Sequence, residues 1–175
     1  IKAEQIVSGL DPSNTFHKLI GPANLNPNFN IQLNNIRYRG STARIHFALN
    51  GLPEIPGVSE SQMDTLFAIA PSIEYLEKAS DSVKYGQIPQ KPYIEFTFPS
   101  LINKNFAPDG KHVLSATVQN APYHLRGQSW NKDTKDQLSQ NVIKVLGKYI
   151  PELSSKIEAI SLFTPERAAV LSTGT

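Results

Sequence analysis

The chain has 175 residues, of which 39% are hydrophobic, and this is enough for one globular domain with a buried core. Its 17 basic and 15 acidic residues leave a net charge of +2 without a block of either sign, so nucleic-acid binding is not indicated. The absence of cysteine excludes disulfides, thiolate catalysis and cysteine-ligated zinc, and it fits a cytoplasmic or other reducing compartment.

The sequence shows neither a membrane span nor a secretory signal. No apolar run approaches the ~18 residues of a transmembrane helix, and the first residues lack the basic, apolar and small-residue succession of a signal peptide. The sequence starts with Ile1 instead of methionine, and we expect it to be a piece of a longer protein.

The first 42 residues are predicted to be an extension that connects the domain to another part of the protein. Asp11 begins a set of capping residues for a short helix, which Gly21 ends. Two signals conflict in residues 24–35: the apolar side chains follow helical spacing, whereas the six asparagines are poor residues for a helix interior.

From residue 43 the pattern predicts the order strand, helix, strand, strand, helix, strand. Alternating or continuous apolar runs place the strands at residues 43–49, 93–98, 111–119 and 157–163. The first helix is predicted to run from a cap at Ser72 to Gly86, and the second from a cap at Asp133 to Pro151.

This order is that of a ferredoxin-like sandwich, an α+β fold in which two helices cover one face of an antiparallel or mixed sheet. The opposite face is predicted to carry mainly polar side chains, namely Arg44, His46, Tyr93, Glu95, Thr97, Ser115, Thr117 and Gln119. Because the fold hosts many functions, a non-enzymatic ligand-binding or dimerisation module is one functional hypothesis.

Polar side chains follow the third predicted strand, whose pairing ends at Pro122. We predict that this segment binds substrate in a cavity at the sheet edge through Tyr123, His124 and Arg126. The alternative is that the segment only ends the strand, with Tyr123 packed and Arg126 solvated. Trp130 could line an apolar ligand channel, or it could pack onto the following helix as a hydrophobic staple.

His46 lies on the polar side of the first strand, shortly after a basic segment that contains Arg39. His46 and this segment could together bind an anionic group of a substrate or cofactor. The alternative is that His46 is only solvated or hydrogen-bonded. No metal site is predicted, because the histidines show neither i, i+4 pairing nor a carboxylate at ligand spacing. No catalytic residue is predicted either, since no serine stands in G-x-S-x-G and no carboxylate pair suits acid–base work.

Several short motifs carry a resemblance to a known family. They are the segment 8–15, Pro89-x-x-Pro92, Pro99-Ser100, Ala107-Pro108-x-Gly110-Lys111-His112 and Gln119-x-Ala121-Pro122-Tyr123. With them the chain resembles the flavin-dependent oxidoreductases of the phytoene desaturase type, in the amine oxidase-like flavoprotein superfamily, and within that group the branch of the pyridine nucleotide-disulfide oxidoreductase domain-containing protein 2 type. No G-x-G-x-x-G follows a predicted strand, so the dinucleotide fingerprint is absent from this sequence.

The resemblance implies that this chain is the substrate-binding domain of a longer FAD-dependent oxidoreductase. Residues 1–42 would connect to a flavin-binding domain outside the chain, residues 43–163 would form the substrate domain, and residues 164–175 would return toward the flavin-binding domain. FAD would be held mainly by that missing domain, with Arg39 near its phosphates.

The implied activity is hydride transfer between the flavin and a C–C or similar bond of an apolar small molecule such as a polyene, with this fragment inactive by itself. Peripheral membrane contact and homo-oligomerisation stay open.

Overall fold

The computed structural model describes residues 3–37 and 40–166. The chain divides into two compact units, Ile1–Arg39 with Ala169–Thr175 and Gly40–Ala168, and each is described by itself. The predicted roles of residues 1–42, 43–163 and 164–175 stay predictions.

The N-terminal unit contains a π-helical segment, Asn14–Ile20. A side-chain oxygen of Asp11, one of the predicted capping residues, accepts a hydrogen bond from the backbone N–H of Asn14 at 3.1 Å and so satisfies the first N–H of the segment, although Ser13 stands at the N-cap position. The hydrogen bonds from Asn14 also hold the pKa of Asp11 below its usual value. Gly21 ends the segment with a φ of 90°, which glycine adopts without strain.

Helix α1, Pro27–Asn35, resolves the conflict in the asparagine-rich stretch. Asn26 stands outside the helix as its cap and accepts from the backbone N–H of Asn28 at 2.9 Å, where asparagine is favourable. Phe29 contacts Phe16 edge-on, with ring centroids 4.9 Å apart, so packing adds to the capping.

The second unit is built on a five-stranded sheet. Its strands are β1 Thr42–Leu49, β2 Phe67–Ile69, β3 Ile94–Thr97, β4 His112–Gln119 and β5 Ile157–Phe163. The spatial order is β2-β3-β4-β1-β5, and every pairing is antiparallel. β4 lies between β1 and β3, which is the split arrangement predicted from the sequence.

The four-stranded sheet expected from the sequence was incomplete, because β2 adds a fifth strand beside β3. β2 has three residues, which is too short for an alternation to be recognised. Phe67 of β2 stacks on Phe96 of β3 at a centroid distance of 5.0 Å, so a cross-strand aromatic pair stabilises the short strand.

Among residues 40–166, four α-helices accompany the sheet: α2 Ile73–Tyr85, α3 Pro99–Ile102, α4 Lys132–Leu146 and α5 Leu153–Lys156. Ser72 caps α2 by accepting from the backbone N–H of Tyr75 at 3.1 Å, and Gly86 ends it in the left-handed conformation, both as predicted.

The predicted cap of α4 at Asp133 is wrong. Asn131 caps the helix by accepting from the backbone N–H of Thr134 at 3.0 Å, and the Thr134 hydroxyl accepts from the backbone N–H of Asn131 at 2.9 Å. This reciprocal pair satisfies two N–H groups at once, whereas Asp133 lies inside the first turn, where its charge favours the helix N-terminus.

One face of the sheet, called here the closed face, forms the core together with α4. The fully buried residues there come from β1, β4 and α4: Ala43, Ile45, Phe47, Leu49, Leu114, Ala116, Val118, Leu138, Val142 and Leu146. α2 contributes less, since Ala79 is its buried residue and Ile73 is 78% exposed. The core therefore depends on β1, β4 and α4.

Candidate functional site

The other face of the sheet, called here the open face, is the surface that the polar pattern predicted. It is formed by Thr42, Arg44, His46, Ala48, Glu95, Thr97, Val113, Ser115, Thr117, Gln119, Ala159, Ser161 and Phe163, none of which is fully buried. Alternate residues of a strand point to opposite faces, so the burial of the closed face fixes these side chains on the open one.

The strand register arranges the open face into cross-strand rows. One row runs Glu95, Thr117, Arg44, Phe163, and the next runs Thr97, Ser115, His46, Ser161. A third row, Val113, Ala48, Ala159, is apolar. The open face thus places an apolar strip directly beside hydroxyl groups, an imidazole and a guanidinium.

The carboxylate on the open face is already hydrogen-bonded. Glu95 accepts from the Tyr93 hydroxyl at 2.7 Å and from the Gln119 amide at 3.5 Å. The Gln119 oxygen accepts from the Thr42 hydroxyl at 3.0 Å, so the chain of contacts crosses three strands. The bond to Glu95 raises the pKa of Tyr93, because the phenol loses this interaction on ionisation.

His46 is half-buried near the middle of the open face, with its ring edge-on to Phe163 at a centroid distance of 5.9 Å. Burial lowers the pKa of His46, and the positive charge of Arg44 lowers it further, so both favour the neutral imidazole. Arg44 is exposed and makes no ion pair within residues 3–37 and 40–166. This pair can hold a polar or anionic group of a ligand that lies along the apolar strip.

The segment that follows β4 packs on the helical side of the sheet. Leu125 lies in the core, and the backbone N–H of Arg126 donates to the carbonyl of Gly86 at 2.8 Å. Gly86 has a φ of 65°, and a Cβ there would lie 3.0 Å from the Arg126 nitrogen, so glycine is required at this close approach.

The structure brings some of the predicted substrate residues together and keeps others apart. Tyr123 contacts His124 edge-on at a centroid distance of 4.7 Å, and Arg126 follows them as an exposed side chain. Trp130 packs against the core and donates its indole N–H to the Pro122 carbonyl at 3.1 Å. His46 faces the opposite side of the sheet, so it does not share a site with this segment.

Arg39, the predicted phosphate contact, lies outside the described residues. Residues 3–37 and 40–166 contain no group of three or more His, Asp or Glu side chains that could hold a metal ion. No helix in that part of the chain is long and apolar enough to cross a bilayer.

Sequence reasoning missed a serine–histidine contact on the helical side of the sheet. The Ser100 hydroxyl lies 3.1 Å from Nδ1 of His112 and accepts from the backbone N–H of Val113 at 3.1 Å. Ser100 is buried, so the contact joins α3 to β4 instead of offering a nucleophile to a substrate. The two residues are 12 positions apart and form no motif, so no sequence signal pointed to the contact.

The described residues do not fit the pyrophosphate of a dinucleotide cofactor. Such groups bind where a glycine-rich turn leads from a strand of a parallel sheet into an uncapped helix N-terminus. Here all strand pairs are antiparallel, and Ser72 and Asn131 already cap the two long helices of this unit. A flavin would have to be held by polypeptide other than these residues.

No family model matches the chain. In an alignment that covers 94% of its length, it is 25% identical to pyridine nucleotide-disulfide oxidoreductase domain-containing protein 2 of Mus musculus. In an alignment that covers 95% of its length, it is 23% identical to the protein of the same name from Rattus norvegicus. The chain spans 30% of the length of these curated relatives. The resemblance to this branch is thereby confirmed as a distant relation, while the phytoene desaturase type and the flavin stay predictions.

Proposed function

We propose that this chain is the substrate-binding domain of a larger FAD-dependent oxidoreductase. The observation that carries the proposal is the alignment of nearly the whole chain to 30% of proteins named for an oxidoreductase domain. The antiparallel sheet and the capped helices do not fit the pyrophosphate of a dinucleotide cofactor. This supports the proposal, in which the cofactor lies on the remaining part of the larger protein.

Within this proposal the open face is the wall against which substrate binds. The strip of Val113, Ala48 and Ala159 would contact an apolar substrate, and covering it would exclude water from the reacting bond. Arg44 and His46 would orient the substrate through a polar or anionic end. The reaction proposed for the larger protein is hydride transfer between its flavin and a C–C or similar bond of that substrate.

The first test is flavin content. The full-length protein should purify with a visible flavin spectrum and release one flavin per chain on denaturation. The 175-residue chain, mixed with FAD and passed through gel filtration, should retain none. A full-length protein without flavin would contradict the proposal, and so would tight flavin binding by the chain alone.

The second test concerns the open face. In the full-length protein, Thr117→Trp places a bulky ring between Glu95 and Arg44. The rate at which a panel of polyenes and acyl compounds reduces the flavin under anaerobic conditions should fall. The flavin content should be unchanged. Lys78→Ala is the matched control, because Lys78 lies on the exposed side of α2 with a single ion pair to Glu74. Equal rates of flavin reduction in both variants would contradict the proposed role of the open face in substrate binding.

A further inference from the structure

β5 is an edge strand, and its residues 159–163 lack the usual protection against strand pairing. Within the described sheet it pairs with β1 alone, and its residues 158–161 are exposed. Edge strands are commonly protected by proline, by lysine, by a β-bulge or by shortness. β5 has neither proline nor lysine, and its single charge, Glu158, is engaged by Lys111 at 2.7 Å. The register against β1 shifts at Glu158, so the regular part of the exposed edge is residues 159–163.

A groove of about 500 Å³ runs between this edge and α4. Ile160 and Leu162 of β5 form its apolar side, and Ile160 is 41% exposed. On the α4 side it is lined by Asn131, Lys132, Lys135, Asp136, Ser139 and Gln140. An exposed strand beside such a groove is the geometry in which an added strand forms main-chain hydrogen bonds and inserts alternate side chains.

The sequence of β5 is complementary to itself in one antiparallel register. With a twofold axis at Ser161, Ser161 faces its own copy, Ile160 faces Leu162 of the copy, and Ala159 faces Phe163 of the copy. Apolar residues then meet apolar residues on the groove side, and the small Ala159 accommodates the large Phe163. The α4 side of the groove carries both signs of charge, which suits a copy of itself better than an acidic or a basic peptide.

We propose that two copies of this chain associate through their β5 strands, with the twofold axis at Ser161 and with the α4 grooves on either side. The two sheets would join into one continuous antiparallel sheet. The copy would add beside the sheet instead of on top of it. Ala159, Ser161 and Phe163 of the open face would lie at the junction, while Arg44 and His46 of β1 would stay uncovered.

The absence of cysteine from the chain allows a direct test of the register. In the proposed pairing the Cβ atoms of the two Ser161 residues are about 4.5–5.5 Å apart, close to disulfide geometry. Ser161→Cys should therefore form a covalent dimer on mild oxidation. Ala159→Cys is the control, since the two copies of this residue would lie about 13 Å apart along the strands. Equal cross-linking of both variants, or of neither, would overturn the register.

A second variant tests the association without cross-linking. Ile160→Lys introduces a charge on the groove side and should raise the dimer dissociation constant at least about tenfold in analytical ultracentrifugation. Ile73→Lys changes an exposed isoleucine of α2 and should leave that constant unchanged. Circular dichroism establishes that both variants are folded. A chain that is monomeric from micromolar to millimolar concentration, or a dimer that Ile160→Lys does not weaken, would overturn the proposal.

Discussion

The two faces of the sheet differ most clearly in two consecutive residues of β1. Phe47 is fully buried on the closed face, whereas His46 is half-buried on the open face, beside hydroxyl groups and Arg44. The closed face excludes water and holds the fold together. The open face leaves polar groups accessible at the surface, and changes there should affect stability much less.

The largest expected effect tests this difference directly. Phe47→Ala should lower the free energy of unfolding by about 3–5 kcal/mol, because a large side chain is removed from a packed core. His46→Ala should lower it by less than ~1 kcal/mol, since the side chain is half-exposed and leaves no closed cavity. Urea unfolding followed by circular dichroism measures both, and similar losses would mean that the open face also carries stability.

A smaller effect is expected from a new hydroxyl group on the closed face, compared with a hydroxyl that is kept on the open face. Ala116→Ser puts an oxygen into the fully buried closed face and should cost about 1–3 kcal/mol. Thr117→Ser, on the neighbouring residue, keeps its hydroxyl on the open face and should change stability by no more than ~0.5 kcal/mol. Thermal unfolding of the two variants, compared with the parent chain, gives the difference; a costly Thr117→Ser would indicate that Thr117 is structural.

Much of the second unit follows from residue patterns of short range. The alternation in residues 43–49 predicts which side chains of β1 enter the core, and Ser72 with Gly86 marks both ends of α2. These signals work because a strand repeats every two residues and because helix ends need particular side chains. The cap of α4 was misplaced by two residues, because the choice of Asn131 depends on its reciprocal contact with Thr134.

Other features depend on long-range pairing. Phe163 belongs to the open face because it pairs with Arg44. The sequence of β5 does not indicate this orientation, because apolar residues occupy both of its faces. The Ser100–His112 contact joins residues from two elements, and β2 is recognisable mainly through its pairing with β3. The segment after β4 was itself predicted to bind substrate at the sheet edge, and its packing through Leu125 on the helical side depends on core contacts that the local sequence does not show.

A third prediction uses pH to compare the two sides. Burial lowers the pKa of His112, as it does for His46, so both native residues favour the neutral imidazole. An unfolded histidine titrates near pH ~6.5. The chain should therefore have its full histidine-dependent stability above that pH and lose it as the pH falls toward the lower native values.

Replacement of each histidine separates the two contributions. The free energy of unfolding, measured with urea at a series of pH values, should fall between neutral and mildly acidic pH. His46→Gln and His112→Gln should each make this fall smaller. His112→Gln should also lower stability at neutral pH, because the contact with Ser100 is lost. If neither variant alters the slope, the acid sensitivity has another origin.

The smallest effect is expected for the hydrogen bonds of the open face. Tyr93→Phe removes the donor to Glu95, and because Glu95 keeps access to water and to Gln119, the loss should be ~1 kcal/mol or less. A double-mutant cycle with Glu95→Ala isolates the bond, and a coupling well above that value would show that water is largely excluded there. In the full-length protein proposed above the same cycle should give a larger coupling, because a covered open face strengthens each polar contact. An unchanged coupling would place the open face in solvent in both proteins, and so would count against its role as a substrate wall.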